Sequence, residues 1–502
     1  MIVGVPSRLE PAEAASDAEV ADCVISWLHG DLPTYPFDGF EEWELVDVPT
    51  DVLPPGRGDV LDRLFPPDNL LQIRVERKFT GDRVEGYRLC ASGLVGISTV
   101  GDGMDLGSSA TVTVRPKVPG SSLLTMLSYA FVPDLSSGHR PEIDVKNAPI
   151  VSLVLLMYLL RVRQLVECHG LQRAYIGLEE RLRGTVRGRC ALPTYLQRSI
   201  PTGRAHVVPC QFWELRVDSE PNRALRWGIE VCRALADWLQ PRDLTDAIES
   251  RWRAIAPHFA GIPVVCYQPS QVRRLPRSGR FALYEPVLEL LEFLLDRLSF
   301  DIVSGEIRVR GFAVEMWEVF EHFVVNLLAS HMRDQVQGPR VNFGYDVVGA
   351  KTRLTAKNIY LDALIKAQHT VVVDAKWKEG IVSYAAGLEE DDGVLQIEGL
   401  QIRNADLFQV VAYGRHRAVQ AQASLLVYPV LKAASVCRLR CILDFLDSAG
   451  EDRVFPVFLV GIPVGETLQE CIGDFVETVQ GIVAGSTVAQ NGFEFAGQLR
   501  HG

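Results

Sequence analysis

Three side chains in the segment IYLDALIKAQHTVVVDAKWK have the types and spacing to do chemistry: Asp362, Asp374 and Lys376. The segment reads as two strands joined by a short turn near Gln368, so antiparallel partners carry numbers that sum to 736, and Asp362 opposes Asp374. Opposed residues share a sheet face with Cβ atoms ~5 Å apart. Side chains alternate along a strand, so Asp374 and Lys376 project the same way while Ala375 points into the packing beneath. Two carboxylates a few ångströms apart repel, and a divalent cation is the usual relief. Oxygen ligands favour Mg2+, with Mn2+ as its substitute. Such an ion polarises a phosphodiester and lowers the pKa of an attacking water. Lys376 then stabilises growing negative charge or orients the nucleophile. Aspartate is disfavoured in strands, so two of them inside β-forming runs call for an explanation. On these letters alone a solvent-facing hairpin with an Asp–Lys pair remains the alternative.

Two flanking helices supply further candidates. ADLFQVVAYGR follows the hairpin and sets Gln409 and Tyr413 four apart, neighbours on one helix face. A Gln-x-x-x-Tyr helix resembles the extra motif of RecB-like nucleases, where these side chains help hold the site and the DNA; the alternative is a face that simply caps the sheet. Upstream, MWEVFEHFVV carries Glu318 and Glu321 three apart, and Glu321 is the candidate third acidic ligand. An exposed glutamate of an amphipathic helix is the plainer reading.

The elements that must position these groups follow from the pattern of the chain. At 502 residues it exceeds what one hydrophobic core usually supports. Residues 1–68 form an acidic, proline-rich entry region, expected to be irregular. Residues 69–135 begin with alternating runs (LLQIRVERKF, YRLCASGLVGISTV, ATVTVRPKV) and read as a β-rich domain. Residues 136–300 read as mainly helical, with the amphipathic YEPVLELLEFLLDR as the clearest helix. Residues 301–502 read as helix, three strands (VNFGYDVV, NIYLDALIKA, TVVVDAKW), helix and strands, an α/β core with a mixed central sheet. The fold class is thus α+β and multidomain.

Charge is uneven. The net charge is -12, yet residues 1–65 alone hold fourteen acids against three arginines, while residues 160–229 hold twelve arginines, no lysine and six acids. The second stretch suits phosphate or an acidic partner surface, or an ordinary solvated face with ion pairs. The longest apolar run, Ile150–Leu160, falls short of the ~20 residues that span a bilayer, and no secretory signal is visible, so a cytoplasmic protein without a membrane partner is expected. Ten cysteines without a CxxC pair fit reduced thiols rather than a zinc site.

Ordered motifs give a resemblance. VTVRPKVPGSSLLTMLSYA (112–130), GLQRAYIGLEERLRGTVRGR (170–189), SEPNRALRWGIEV (219–231), MWEVFEHFV (316–324), DAKWK (374–378) and LFQVVAY (407–413) together resemble the McrC family, the nuclease subunit of the modified-cytosine restriction system. DAKWK and the upstream Asp362 are similar to the PD-(D/E)xK nuclease pattern, with Leu361 where that superfamily often has Pro and Trp377 where Tyr is more common. The resemblance implies Mg2+-dependent cutting of double-stranded DNA, with Asp362, Asp374 and Glu321 on the metal and Lys376, Gln409 and Tyr413 beside it. It also implies a partner, an McrB-like AAA+ GTPase ring that reads the modified base and is stimulated by this chain. Arg183, Arg187 and Arg189 are then candidates for contact with that partner or with DNA. The chain itself contains no GxxxxGK[ST] phosphate loop. Two other readings stay open: a stand-alone RecB-like nuclease of repair or phage defence, and a non-catalytic adaptor of a ring NTPase.

Overall fold

Runs rich in Val, Ile and Thr supply several of the strands, such as LVGISTV, ATVTVR and TVVVDA, in the computed structural model, which describes residues 17–32, 34–100, 109–131, 149–236, 242–303, 306–337, 361–377, 390–391, 394–397, 400–416, 419–431, 437–446 and 452–485. The architecture is mixed α+β with several sheets. The chain divides into two units, Met1–Leu153 with Arg310–Gly502, and Val154–Val309.

The first unit opens with α1 (Asp17–Leu28), β1 (Phe40–Glu41), β2 (Leu45–Val48), α2 (Gly58–Leu64), β3 (Arg74–Thr80), β4 (Arg83–Cys90), β5 (Leu94–Val100), β6 (Ala110–Arg115) and α3 (Gly120–Phe131). Residues 17–65, expected to be irregular, include α1, β1, β2 and α2. Pro36, Pro49, Pro54 and Pro55 fall between those elements, where a missing N–H disturbs no ladder. Val20, Val24, Trp27 and Leu28 meanwhile share one side of α1 and join Phe40, Leu53, Leu61 and Leu89 in a common core. β2 and β3 flank β4 in an antiparallel sheet. β1 runs parallel to β6, which pairs antiparallel with β5.

α4 (Ile150–His169) leads in sequence to the second unit, with β7 (Ala174–Arg183), β8 (Arg189–Cys190), α5 (Leu192–Thr194), β9 (Val207–Arg216), α6 (Glu220–Ala236), α7 (Arg242–Ile255), α8 (Pro269–Val272), α9 (Glu285–Asp296) and β10 (Leu298–Val303). The expectation of a mainly helical middle needs one correction. Much of the arginine-rich stretch is a three-stranded sheet in the order β7-β9-β8. AYIGLEERLR does alternate between half-buried and exposed positions over its first half, but its charges dilute the apolar signal that marks a strand.

The chain re-enters the first unit along β11 (Glu306–Glu315), antiparallel to β5. There follow α10 (Met316–Met332), β12 (Val336–Gln337), β13 (Ala363–Lys366), β14 (Thr370–Ala375), β15 (Glu390–Asp391), β16 (Val394–Ile397), β17 (Leu400–Arg403), α11 (Asn404–Arg415), β18 (Ala423–Val430), β19 (Cys437–Leu446), β20 (Asp452–Pro463) and α12 (Leu468–Val483). The expected strand VNFGYDVV, residues 341–348, lies outside the described residues.

Six strands form a mixed sheet in the order β12-β13-β14-β18-β20-β19. β14, β18 and β20 are parallel, and every residue of β18 is buried, as befits a strand covered on both faces. α11 connects the two halves in sequence and packs on β14, β18 and β20, while α10 packs on β14 and α3. Among the described residues, no helix is long and apolar enough to cross a membrane.

The seat of α11 depends on Gly414. A Cβ there would lie 2.5 Å from Phe455 Cζ and 2.9 Å from Ser424 Oγ, and Ser424 Oγ itself donates to the Val410 carbonyl at 2.9 Å. Gly414→Val must therefore displace the helix or the Phe455 ring. The expected loss is about 1–3 kcal/mol, read as a lower midpoint in urea denaturation; an unchanged midpoint would mean that the helix has room to spare.

Candidate active site

The hairpin carrying the acids has the register expected from its turn. Ala363 pairs with Val373, Leu364 with Val372, Ile365 with Val371 and Lys366 with Thr370. Asp362 lies one residue beyond the paired stretch, and its Oδ2 accepts a 2.6 Å hydrogen bond from the Ala375 amide. Asp374 is 2% exposed, locked between β13 and the parallel β18, where its register partner is Leu426. Lys376 follows the strand end, its amide donating to the Val427 carbonyl at 2.9 Å, so the ladder toward β18 continues one residue further. Its Nζ lies 2.6 Å from Asp374 Oδ2. Asp362, Asp374 and Lys376 therefore meet, as their spacing predicts.

The electrostatics show what this convergence costs. Burial pushes the Asp362 carboxyl up to about 8, and the charges of Asp374 and Glu321 push the same way against the Ala375 amide and Lys376. Burial alone would depress the Lys376 amine, but the charge and hydrogen bond of Asp374, then Asp362 and Asp406, outweigh it and hold the amine above its ordinary value. Glu321, on α10, is thus close enough for its charge to act on Asp362. Among the described residues no three His, Cys, Asp or Glu side chains form a ready-made metal cage. The donor set nevertheless fits a hard cation: two carboxylates that burden each other with negative charge, a third nearby, and an ammonium offsetting part of that charge. Mg2+ needs only one or two carboxylates, with water and substrate oxygen completing its shell.

α11 brings its motif to the same region. Gln409 Nε2 donates to Tyr413 Oη at 2.6 Å, so the two side chains expected on one face do touch. Tyr413 also packs against a cluster of Leu361, Leu364, Val372, Val419 and Ala421, of which Leu364 and Val372 continue the face that bears the acids. One residue of this helix was missed by the sequence reading. Asp406, buried and three residues before Gln409, acts on the Lys376 charge and accepts a 3.4 Å hydrogen bond from Tyr428 Oη. The i, i+3 spacing to Gln409 was the available signal.

A second missed residue lies far away in sequence. Glu42, just after β1, is 0% exposed, and its Oε1 accepts a 2.7 Å hydrogen bond from the Trp377 indole. The Trp377 ring lies 5.5 Å from that of Phe320 on α10, beside Glu321. Nothing in sequence spacing links Glu42 to a partner 335 positions on.

Arg183, Arg187 and Arg189 belong to the second unit, at the end of β7, in the following turn and at the start of β8. All three are exposed. Arg187 lies over the Phe212 ring, 4.4 Å from its centroid, and 3.5 Å from Glu214. Trp213 stands 72% exposed on β9.

A family model described as "McrBC 5-methylcytosine restriction system component" matches residues 90–429, which include Glu321, Asp362, Asp374, Lys376, Gln409 and Tyr413. Among solved structures, the chain is similar to a chain of a refined half-complex from a tetradecameric assembly of Thermococcus gammatolerans McrB AAA+ hexamers with bound McrC. The two share 13% identity with a TM-score of 0.46, over 89% of this chain and 100% of that one. It is also similar to a chain of the Thermococcus gammatolerans McrBC complex, with 15% identity and a TM-score of 0.37, over 59% of this chain and 88% of that one. None of the curated proteins matches it.

The burial of Glu42 has a measurable consequence. Burial pushes its carboxyl up to about 8, outweighing the Trp377 indole and the Lys117 amide and ammonium, which favour the charged form. The folded chain therefore holds this proton more tightly than the unfolded chain does. The stability Glu42 contributes is complete below its ordinary value of 4.5 and is lost as pH rises through about 8. Glu42→Gln cannot titrate, so the decline of melting temperature across that window is expected to be shallower than in the wild type. Parallel declines in thermal denaturation would contradict a carboxyl buried in this way.

Proposed function

The chain belongs to the McrBC 5-methylcytosine restriction-system family, as a McrC-type subunit, and from that premise we propose that it is the Mg2+-dependent DNA endonuclease of such a system. The observation that carries this reading is the meeting of Asp362, Asp374 and Lys376 at the end of one hairpin on a mixed sheet, which we read as a PD-(D/E)xK arrangement.

Each residue has a role that follows from its surroundings. Asp362 and Asp374 hold Mg2+, with Glu321 as the third acid; Mn2+ is the substitute. When bound, the ion polarises the scissile phosphodiester and lowers the pKa of the attacking water. Lys376 keeps its proton beside two carboxylates, so it can stabilise charge growing on the phosphate oxygens. Its 2.6 Å contact with Asp374 fixes where that charge sits. Gln409 and Tyr413, bonded to each other, form the wall of the site on α11 and face the DNA.

The partner in this reading is an McrB-like AAA+ GTPase ring; the Thermococcus gammatolerans assembly is named for McrB AAA+ hexamers with bound McrC. Base recognition and GTP hydrolysis then lie with the ring, in keeping with a sequence that lacks a phosphate loop. Arg183, Arg187 and Arg189 are the proposed contacts to acidic or phosphate groups of the partner or DNA; their exposure on a sheet rich in arginine supports this.

Asp374→Ala is expected to abolish Mg2+-dependent cleavage of modified DNA while leaving partner binding intact. Cutting at the wild-type rate would reject the site. Lys376→Ala is expected to lower turnover by about 10²–10³-fold with metal affinity nearly unchanged in calorimetry; lost metal binding with normal turnover would reverse its role. The purified chain is expected to hydrolyse no GTP alone yet to accelerate hydrolysis by the ring. A ring indifferent to it would instead favour a stand-alone nuclease.

A further inference from the structure

We infer that Glu42 is a positioning residue of the nuclease site, holding Trp377 so that the neighbouring Lys376 stays aimed at Asp374. The inference rests on the nuclease reading for its functional meaning, but its geometry stands apart from it.

The paired stretch of β14 ends at Ala375, so Lys376 and Trp377 project from the strand end. Lys376 keeps a single described backbone tie, its amide to the Val427 carbonyl. The next residue is clamped by its side chain. Trp377 is buried, packed at a tilt beside the Phe320 ring and hydrogen-bonded through its indole N–H to Glu42. A lysine whose following residue cannot swing has fewer backbone conformations, and its ammonium is directed accordingly.

Glu42 is itself held firmly. Its amide donates to the Arg115 carbonyl at 2.9 Å, extending the parallel pairing of β1 with β6. The next residue, Trp43, is fixed at φ 56° with its amide on the Ser92 carbonyl and the Lys117 ammonium 5.6 Å over its ring. A bulky residue in the left-handed region is strained and persists only where its surroundings over-determine it. The clamp is thus a side chain on a rigid mount. Because Phe320 precedes Glu321, one aromatic contact borders the residues that carry both the ammonium and the third acid. A buried carboxyl is a costly way to accept one indole hydrogen bond. A carboxyl or amide oxygen serves that end and an alkyl group does not, which makes the role testable.

The test uses the full chain with its GTPase ring, Mg2+ and methylated plasmid DNA. Glu42→Ala and Trp377→Phe are each expected to lower kcat by about tenfold or more with KM for DNA and GTPase stimulation unchanged. Glu42→Gln is expected to restore most of the turnover lost in Glu42→Ala, and the double variant is expected to lose no more than either single one. Turnover near the wild-type rate in both single variants would overturn the inference. Trp377→Phe keeps an aromatic ring but removes the N–H together with the pyrrole ring, so it is read beside Glu42→Gln, which retains an acceptor for the indole; wild-type turnover in Trp377→Phe overturns the clamp even if Glu42→Ala fails to fold. Amide hydrogen exchange separates the two readings. Faster exchange at Lys376 in both single variants is expected whether or not the wild type cuts DNA. Unchanged exchange there refutes the clamp, whereas changed exchange in a protein that never cuts DNA refutes only the nuclease reading.

Discussion

Two carboxylates and one ammonium at the end of a single hairpin are the constraint around which the first unit is built. Asp374 is almost wholly buried, Asp362 is pushed toward its neutral form, and Lys376 bridges part of the charge at 2.6 Å. Breaking such a buried pair is costly, and replacing it with apolar residues is often stabilising. A sheet selected for stability alone would carry Leu or Val at these positions, as it does at Leu364 and Val372 on the same face. Retaining charges that lower stability is the signature of a site, where function and stability are traded.

The surrounding elements make that trade tolerable. β14 is held by antiparallel β13 on one side and parallel β18 on the other, so Asp374 cannot move away from Asp362 without breaking both ladders. β18, buried along its whole length, gives the sheet a dry centre. α11 reaches the sheet closely only because Gly414 has no side chain, and this approach brings Tyr413 over Leu361, Leu364 and Val372. α10 covers β14 and carries Phe320 and Glu321. Each of these is a packing decision made by apolar residues, and each fixes a polar group that does not pack.

Legibility in the sequence followed the range of the interactions. The register of β13 and β14 could be read because a short turn and period-2 alternation fix it locally. The Gln409–Tyr413 contact could be read because helical neighbours at i, i+4 meet whatever else the fold does. Asp406 was within reach of the same rule, but a lone acid in the first turn of a helix usually signals the helix dipole. The order in residues 17–65 was obscured because prolines and acids dominated the composition, whereas the spacing of Val20, Val24, Trp27 and Leu28 recorded a buried helix face. The β7-β9-β8 sheet was hidden by its charges. Glu42 could not be found at all, because its partner is set by tertiary folding and not by any spacing.

That last case changes what the N-terminal segment is for. An acidic leader with a net charge of -11 looks like a solvated appendage when only composition is counted. Yet its residues contribute a strand to the β6 edge, core side chains from α1 and a wholly buried carboxyl bonded to the residue after Lys376. Glu42, which lies outside the matched residues 90–429, is therefore in direct contact with Trp377, which lies inside them. The six-stranded sheet taken without residues 17–65 would leave the Trp377 indole without its described acceptor and expose the core face that α1 covers. The surroundings of the proposed site are thus set by packing, and they extend beyond the boundary of the recognisable motif.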